Sequence, residues 1–287
     1  MRTIDLFKKK KVLSLEIFPP NSAGNIDKIY DVITDLEVLE PDFISVTYGA
    51  GGSENSKSTL EIASTVKNRY QIESIAHLPC ANLSKSDVLY ILEQMKQLNI
   101  ENILALRGDL KPDSKSAKDF QHASDLISFI KDNEDFNIIG ACYPQGHPES
   151  VNIIEDIQNL KKKVDAGTNQ LISQLFFENS SFYTFIERTQ IVGIDVPIQA
   201  GIMPVINKKQ INHIVSLCGV SIPDKLRKLI EKYEHNPVAM RDAGIAYAID
   251  QIVDLITQGV DGIHLYTMNN IYIAQRICEA IASLIIV

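Results

Sequence analysis

Residues 102–109 read NILALRGD, an apolar run that stops abruptly at Arg107, Gly108 and Asp109. A run this short, closed by a turn-forming glycine, has the form of a β-strand buried on both faces. The same form recurs in VLSLEIF (12–18), FISVTYG (43–49), ESIAHLPC (73–80), NIIGACYP (137–144), QLISQLFF (170–177), PIQAGIMPV (197–205) and GIHLYTM (262–268). Between these runs lie stretches with apolar residues three and four apart, such as IYDVITDLEVLE (29–40), DVLYILEQMKQLN (87–99), HASDLISFIKDN (122–133) and IIEDIQNLKKKVDAG (153–167). That spacing predicts amphipathic helices. Strands buried on both faces and separated by helices pair in parallel, because a parallel neighbour needs a crossover connection.

Eight such units in 287 residues predict an α/β fold of the (β/α)8 TIM barrel type. The alternative is a doubly wound open sheet, but no strand runs into the G-x-G-x-x-G turn of a dinucleotide-binding half. The expected organisation is one barrel domain over 1–287. The long interval at about 206–261, holding QINHIVSLC, PDKLRKLIEKY and MRDAGIAYAIDQIVDLITQG, is expected to add helices between strands seven and eight.

The bulk chemistry narrows the ligands. A formal charge of −8 lacks the basic surface that nucleic acids or anionic membranes require, so small molecules are the expected partners. Four cysteines without a C-x-x-C pair suit reduced thiols in a cytosolic protein. The basic start KKKK (8–11) precedes an apolar stretch broken by Glu16 and Pro19-Pro20, which is no secretory leader, and no apolar run approaches the roughly 20 residues of a membrane span. The C-terminal IASLIIV is expected to be a packed helix rather than an anchor. An adhesion role for Arg107-Gly108-Asp109 would need an extracellular protein, and nothing here supports one.

In a barrel the chemistry gathers at the C-terminal ends of the strands. Those ends carry Glu16, Thr47-Tyr48, His77, Arg107-Gly108-Asp109, Tyr143 and then His147, Gln174, and Tyr266. The first halves of most of the runs are apolar, the asymmetry expected of a single functional rim. A carboxyl within SLEIF either enters the barrel mouth or is paired; among apolar neighbours it would retain a proton and suit a general acid, whereas the alternative is a structural ion pair. For Arg107 and Asp109 the structural alternative is an ion pair closing the turn at Gly108, and for His77 and His147 a satisfied core or loop histidine. Glu16, His77, Asp109, His147 and His264 carry atoms a metal would accept, but no H-x-H or H-E-x-x-H brings two together, so no metal is expected. The ends GIMPVINKK and LYTMNN lack the glycine-rich grip of a sugar-phosphate barrel. Lys161, Lys162 and Lys163 are either a solvated helix face or a diphosphate contact.

The segments LEIFPP, SVTYGAGG, AHLPC, LALRGD, YPQGHPE, LKKKVDAGTNQLISQLFF and GIMPV, in this order and near these spacings, resemble the methylenetetrahydrofolate reductase family from about residue 12 to 280, most closely its short bacterial form. The resemblance implies a (β/α)8 barrel that holds FAD, in preference to FMN, at the strand C-termini. It implies NADH or NADPH as donor and 5,10-methylenetetrahydrofolate as acceptor, in a ping-pong hydride transfer that serves one-carbon metabolism and methionine biosynthesis. Carried over by position, Glu16 falls on the general acid for folate N10 and Asp109 on the aspartate beside flavin and pterin. Gln174, Gln210 and Tyr266, with Asp109, fall on substrate contacts. FAD contacts would come from Thr47, Tyr48, Ala50 and His77; from Arg107, Gly108, Asp109 and Ala123; from Tyr143, His147 and Ser150; and from Asp156, Asn159, Lys162 and Lys163.

Two departures stand out. Asn270 occupies a place where bacterial relatives carry an arginine near the folate tail. Ile214 stands where some relatives place a phenylalanine against nicotinamide. The resemblance also allows a homo-oligomer. The alternatives are a flavin reductase of the same fold that draws electrons from a partner protein, and a flavin-free barrel lyase or hydrolase.

Overall fold

The structure is a computed structural model that describes residues 1–20, 26–48, 53–108 and 119–285, the side chains of 53–57 excepted. Eight strands form a closed parallel barrel in sequence order: β1 (Val12–Ile17), β2 (Phe43–Val46), β3 (Glu73–Pro79), β4 (Asn102–Leu106), β5 (Asn137–Cys142), β6 (Gln170–Ser173), β7 (Ile198–Ile202) and β8 (Gly262–Tyr266). Each lies inside one of the eight apolar runs. The barrel closes where β1 pairs with β8, from Val12 opposite Gly262 to Glu16 opposite Tyr266.

Alternate strand residues face opposite sides. On β1, Leu13, Leu15 and Ile17 join the apolar layer shared with the surrounding helices. Val12 belongs instead to a lumen cluster with Phe43, Ile75, Leu104, Ile139 and Ile172, the six coming from six strands. By the same parity Ser14 and Glu16 follow Val12 inward, which sets a polar layer above this apolar plug.

The outer helices are α1 (Asp27–Glu37), α2 (Ser53–Asn68), α3 (Lys85–Gln97), α4 (Ala123–Asn133), α5 (Ile153–Asp165), α6 (Asn179–Ile191), and then α7 (Lys208–Cys218), α8 (Asp224–Tyr233), α9 (Pro237–Thr257) and α10 (Ile271–Ile285). Their ends follow from local chemistry. Ser84 and Asp87 form a reciprocal capping box on α3, and Asn152 accepts the backbone N–H groups of Ile154 and Glu155 to start α5. Gly219, at φ +66°, ends α7 in the left-handed conformation. Three helices, α7 to α9, lie between β7 and β8, and they share a core of Met203, Val205, Ile211, Leu226, Ile230 and Met240 with Leu175 and Phe177. No helix among the described residues is long and apolar enough to cross a membrane.

One expectation needs correction. The N-terminal ends of the strands are not uniformly apolar: Asn102, Asn137 and Gln170 are buried at the starts of β4, β5 and β6. Thr3 meets part of their hydrogen bonding: its backbone N–H donates to Asn102 Oδ1 (2.9 Å), and its hydroxyl donates to Gln170 Oε1 (2.9 Å) and accepts from Asn137 Nδ2 (2.9 Å), while Asn137 Oδ1 and Gln170 Nε2 have no hydrogen-bond partner among the described residues. The segment before β1 thus seals the far end of the barrel, with Leu6 and Phe7 packed on the apolar plug.

The helical insertion is seated by a close approach. Gly244 of α9 lies where an added Cβ would overlap the Val205 carbonyl, which is backbone and cannot turn aside. Gly244→Ala is therefore expected to destabilise the protein by about 1–3 kcal/mol despite alanine's better helix propensity. A thermal scan checks this, and an unchanged or raised Tm would show that α9 can shift away from β7.

Candidate functional site

At the C-terminal end of β1, Glu16 is 7% exposed and sits over two imidazoles rather than among apolar side chains. Its Oε2 lies 3.6 Å from His77 Nε2 on β3 and 3.5 Å from His264 Nε2 on β8. His264 Nδ1 is 2.7 Å from Ser14 Oγ, which also accepts from Gln199 Nε2 at 2.9 Å. With Gln199 donating to Ser14, the single serine proton goes either to Nδ1 or to the Ile263 carbonyl at 3.5 Å, and His264 Nε2, buried and without a hydrogen bond among the described residues, faces Glu16. On the other side His77 Nε2 is 2.6 Å from Ser45 Oγ. Burial pushes His77 down to about 4, with the Glu16 carboxylate opposing the shift and His264 adding to it, so His77 is uncharged at neutrality.

The backbone around Glu16 is fixed as well. Thr267 Oγ1 donates to the Glu16 carbonyl at 2.6 Å, and Asn269 clamps Phe18 through both its backbone N–H and its carbonyl, each at 2.9 Å. Tyr266 donates to the Ser173 carbonyl at 2.8 Å, crossing Gly201, where an added Cβ would strike both the Ser173 carbonyl and the tyrosine ring. Burial first, and then the Glu16 charge, hold the Tyr266 phenol well above its ordinary value.

Beside the mouth, a cleft of about 410 Å3 runs from the ends of β4 and β5 out between α4 and α5. Nine of the residues expected to contact a cofactor line it. Arg107 and Ala123 lie on the α4 side, Tyr143, His147 and Ser150 on the β5 loop, and Asp156, Asn159, Lys162 and Lys163 on α5. Tyr143 and His147 meet edge to face at 4.7 Å, and burial pushes the Tyr143 phenol up to about 12. Asp156 is buried and accepts from Ser150 Oγ at 2.8 Å. Lys162 donates to Asn159 Oδ1 at 3.1 Å, whereas Lys163 turns inward to the Ala141 carbonyl at 2.7 Å and is pushed down by burial.

At the turn, Arg107 Nε donates to the Gly108 carbonyl at 3.3 Å. Its guanidinium forks onto Glu149, at 2.5 and 2.8 Å. Gly108 follows at φ +82°, with an added Cβ only 2.8 Å from Pro79 Cβ, so glycine is required at this turn. Asp109 and Ala50 lie outside the described residues. Thr47 extends the β1 pairing at the rim by donating to the Ile17 carbonyl at 3.1 Å, and Tyr48 borders a separate hollow between α2 and α3. Gln174 Oε1 accepts from the Leu175 backbone at 2.9 Å, and Gln210 pairs with the α7 cap Asn207. Asn270 caps α10 by accepting from Ile273 N, and Ile214 packs into the core of the insertion. Among the described residues no group of three or more His, Cys, Asp or Glu could hold a metal ion.

The sequence reading passed over Ser14, Ser45, Gln199 and Glu149, and it weighed His264 only as a metal ligand. Strand parity was the available signal for most of these: Ser14 and His264 stand two residues before Glu16 and Tyr266 on paired strands.

A family model described as methylenetetrahydrofolate reductase matches residues 1–282. The chain belongs to the methylenetetrahydrofolate reductase family. Among its relatives, the 5,10-methylenetetrahydrofolate reductases of Pectobacterium carotovorum and Escherichia coli K12 are each 35% identical over 269 residues, covering 94% of this chain and 89% and 90% of theirs. Methylenetetrahydrofolate reductase (NADH) 1 of Arabidopsis thaliana is 32% identical and matches 94% of this chain but 49% of its own length. A solved structure of a Clostridium thermocellum protein, described as binding two copies of 5-methyl-5,6,7,8-tetrahydrofolic acid, shares the fold with a TM-score of 0.62 at 13% identity, over 98% of both chains. Membership of this reductase family makes the protein an oxidoreductase.

The depressed His77 has a consequence for stability. Between about 6.5 and about 4 the unfolded chain binds a proton at this histidine that the folded chain does not, so stability falls as the pH is lowered through that window. The loss reaches at most about 3 kcal/mol. Urea unfolding at pH 7 and pH 5 should show it, and a His77→Gln variant should show a shallower slope; equal slopes would mean that His77 titrates normally in the fold.

Proposed function

We propose that the protein reduces 5,10-methylenetetrahydrofolate to 5-methyltetrahydrofolate with NADH or NADPH as donor, using FAD held in the cleft and across the barrel mouth. The observation that carries this reading is Glu16: a buried carboxyl at the rim, faced by two imidazoles, on the same barrel end as a cleft whose lining mixes apolar, cationic and acidic side chains.

The lining suits a dinucleotide. Leu106, Ala123 and Leu160 offer apolar surface for an adenine, and Arg107, Lys162 and Lys163 offer cations for a diphosphate, in the fork or point-charge geometries that phosphates accept. When bound, FAD supplies a two-electron carrier between nicotinamide and folate. The balance is one hydride from the nicotinamide, which ends in the methyl group on N5, and one proton, which ends on N10.

Glu16 delivers that proton. Opening the five-membered ring requires N10 to leave, and a carboxyl at the rim can protonate it as the bond to the bridging carbon breaks. The His264 and His77 nitrogens face the Glu16 carboxyl at 3.5 and 3.6 Å, with His77 uncharged at neutrality. Asp109 is assigned the anion that favours positive charge on the N5-bound carbon as the ring opens.

Glu16→Gln separates the half-reactions. The purified variant should remain yellow and be bleached anaerobically by NADH or NADPH at nearly the native rate, while reoxidation by the folate slows by about 100-fold or more. Equal losses in both halves would make Glu16 structural, and a colourless native protein would remove the flavin from the account. Asp109→Asn should slow the folate half-reaction by about 10-fold or more and raise the flavin's reduction potential. Stopped-flow reoxidation and a dye-coupled potential measurement check this; an unchanged potential would place Asp109 away from the ring.

A further inference from the structure

The cleft contains a carboxylate that its proposed ligand would have to displace. The described lining carries three cations, Arg107, Lys162 and Lys163, against three carboxylates, Glu149, Glu155 and Asp156. A diphosphate adds about two further negative charges, so the balance favours binding only if one acid withdraws. Asp156 is poorly placed to leave, being buried and bound to Ser150 at 2.8 Å. Glu149 is well placed, because its side chain is 60% exposed whereas its partner Arg107 is 24% exposed. Leaving Arg107 therefore returns Glu149 to water without burying an unpaired charge.

The loop is built so that only the side chain has to move. The Glu149 backbone N–H donates to His147 Nδ1 at 3.1 Å, and the Ser150 N–H donates to the His147 carbonyl at 2.9 Å. Meanwhile the two carboxylate oxygens of Glu149 take up Arg107 NH1 and NH2, the same fork that a phosphate's oxygens would accept.

Building on the assignment of the cleft to a dinucleotide, we infer that Glu149 is a displaceable counter-ion. It competes with the ligand's diphosphate for the guanidinium of Arg107, and so sets how tightly the cleft holds diphosphate-bearing ligands. Removing its charge strengthens binding, the reverse of what a residue that aims Arg107 at the ligand would do.

The test titrates the full-length protein, stripped of flavin, with FAD and separately with ADP. Glu149→Gln keeps the side-chain shape and should tighten both by roughly twofold to fivefold, the range of an ion pair of this exposure. Arg107→Gln should weaken both, and in that background Glu149→Gln should bring little gain, because its effect passes through the guanidinium. Unchanged or weaker binding in Glu149→Gln would overturn the inference, as would a full gain in the absence of Arg107. A native protein that takes up neither FAD nor ADP would overturn the assignment of the cleft itself. Uptake without a gain in the variant would remove only the role given to Glu149.

Discussion

A carboxyl at the top of a closed barrel is costly to bury, and much of the lumen is arranged around meeting that cost for Glu16. Two imidazoles face one of its oxygens, two serines hold the imidazoles, and Gln199 donates to one of those serines. Filling this layer with hydroxyls and rings sacrifices the branched apolar packing that normally fills a barrel. The deficit is met beneath it by the plug of Val12, Phe43, Ile75, Leu104, Ile139 and Ile172, and at the far end by the segment around Thr3.

The two parts of the site differ in kind. The lumen part draws on β1, β2, β3, β7 and β8, is buried, and gains its precision from short hydrogen bonds between paired strands. The cleft draws on β4, β5 and the helices that follow them; it is more exposed, and balances cations against acids on longer side chains. Proton delivery at a fixed atom suits the first environment. Reversible capture of a charged dinucleotide suits the second, where exposed ion pairs exchange at little cost.

The strands were legible in the sequence because burial on both faces leaves short apolar runs, most of them ended by glycine or proline, and each of the eight contains its observed strand. The rim was legible because Glu16, Thr47, Arg107 and Tyr143 stand at the ends of those runs. What lay beyond reach was pairing across the barrel. Ser14 and His264 are 250 residues apart, and nothing local marks Glu149 as the partner of Arg107. The polar residues at the strand starts were missed for the same reason, since Asn102 and Gln170 find partners in Thr3, far upstream, and Asn102 also on the neighbouring strands. Asn270, read as a lost anchor for the substrate, has a structural task of its own as the cap of α10.

The central claim is that Glu16 works on the folate from the floor of the barrel mouth. A crystal structure of the protein with FAD and 5-methyltetrahydrofolate bound tests it most directly. The account predicts the pterin over the mouth, with folate N10 within hydrogen-bond reach of the Glu16 carboxyl, directly or through one water, and the FAD diphosphate in the cleft between α4 and α5. A folate seated in the hollow between α2 and α3, or with N10 turned away from β1, would contradict it.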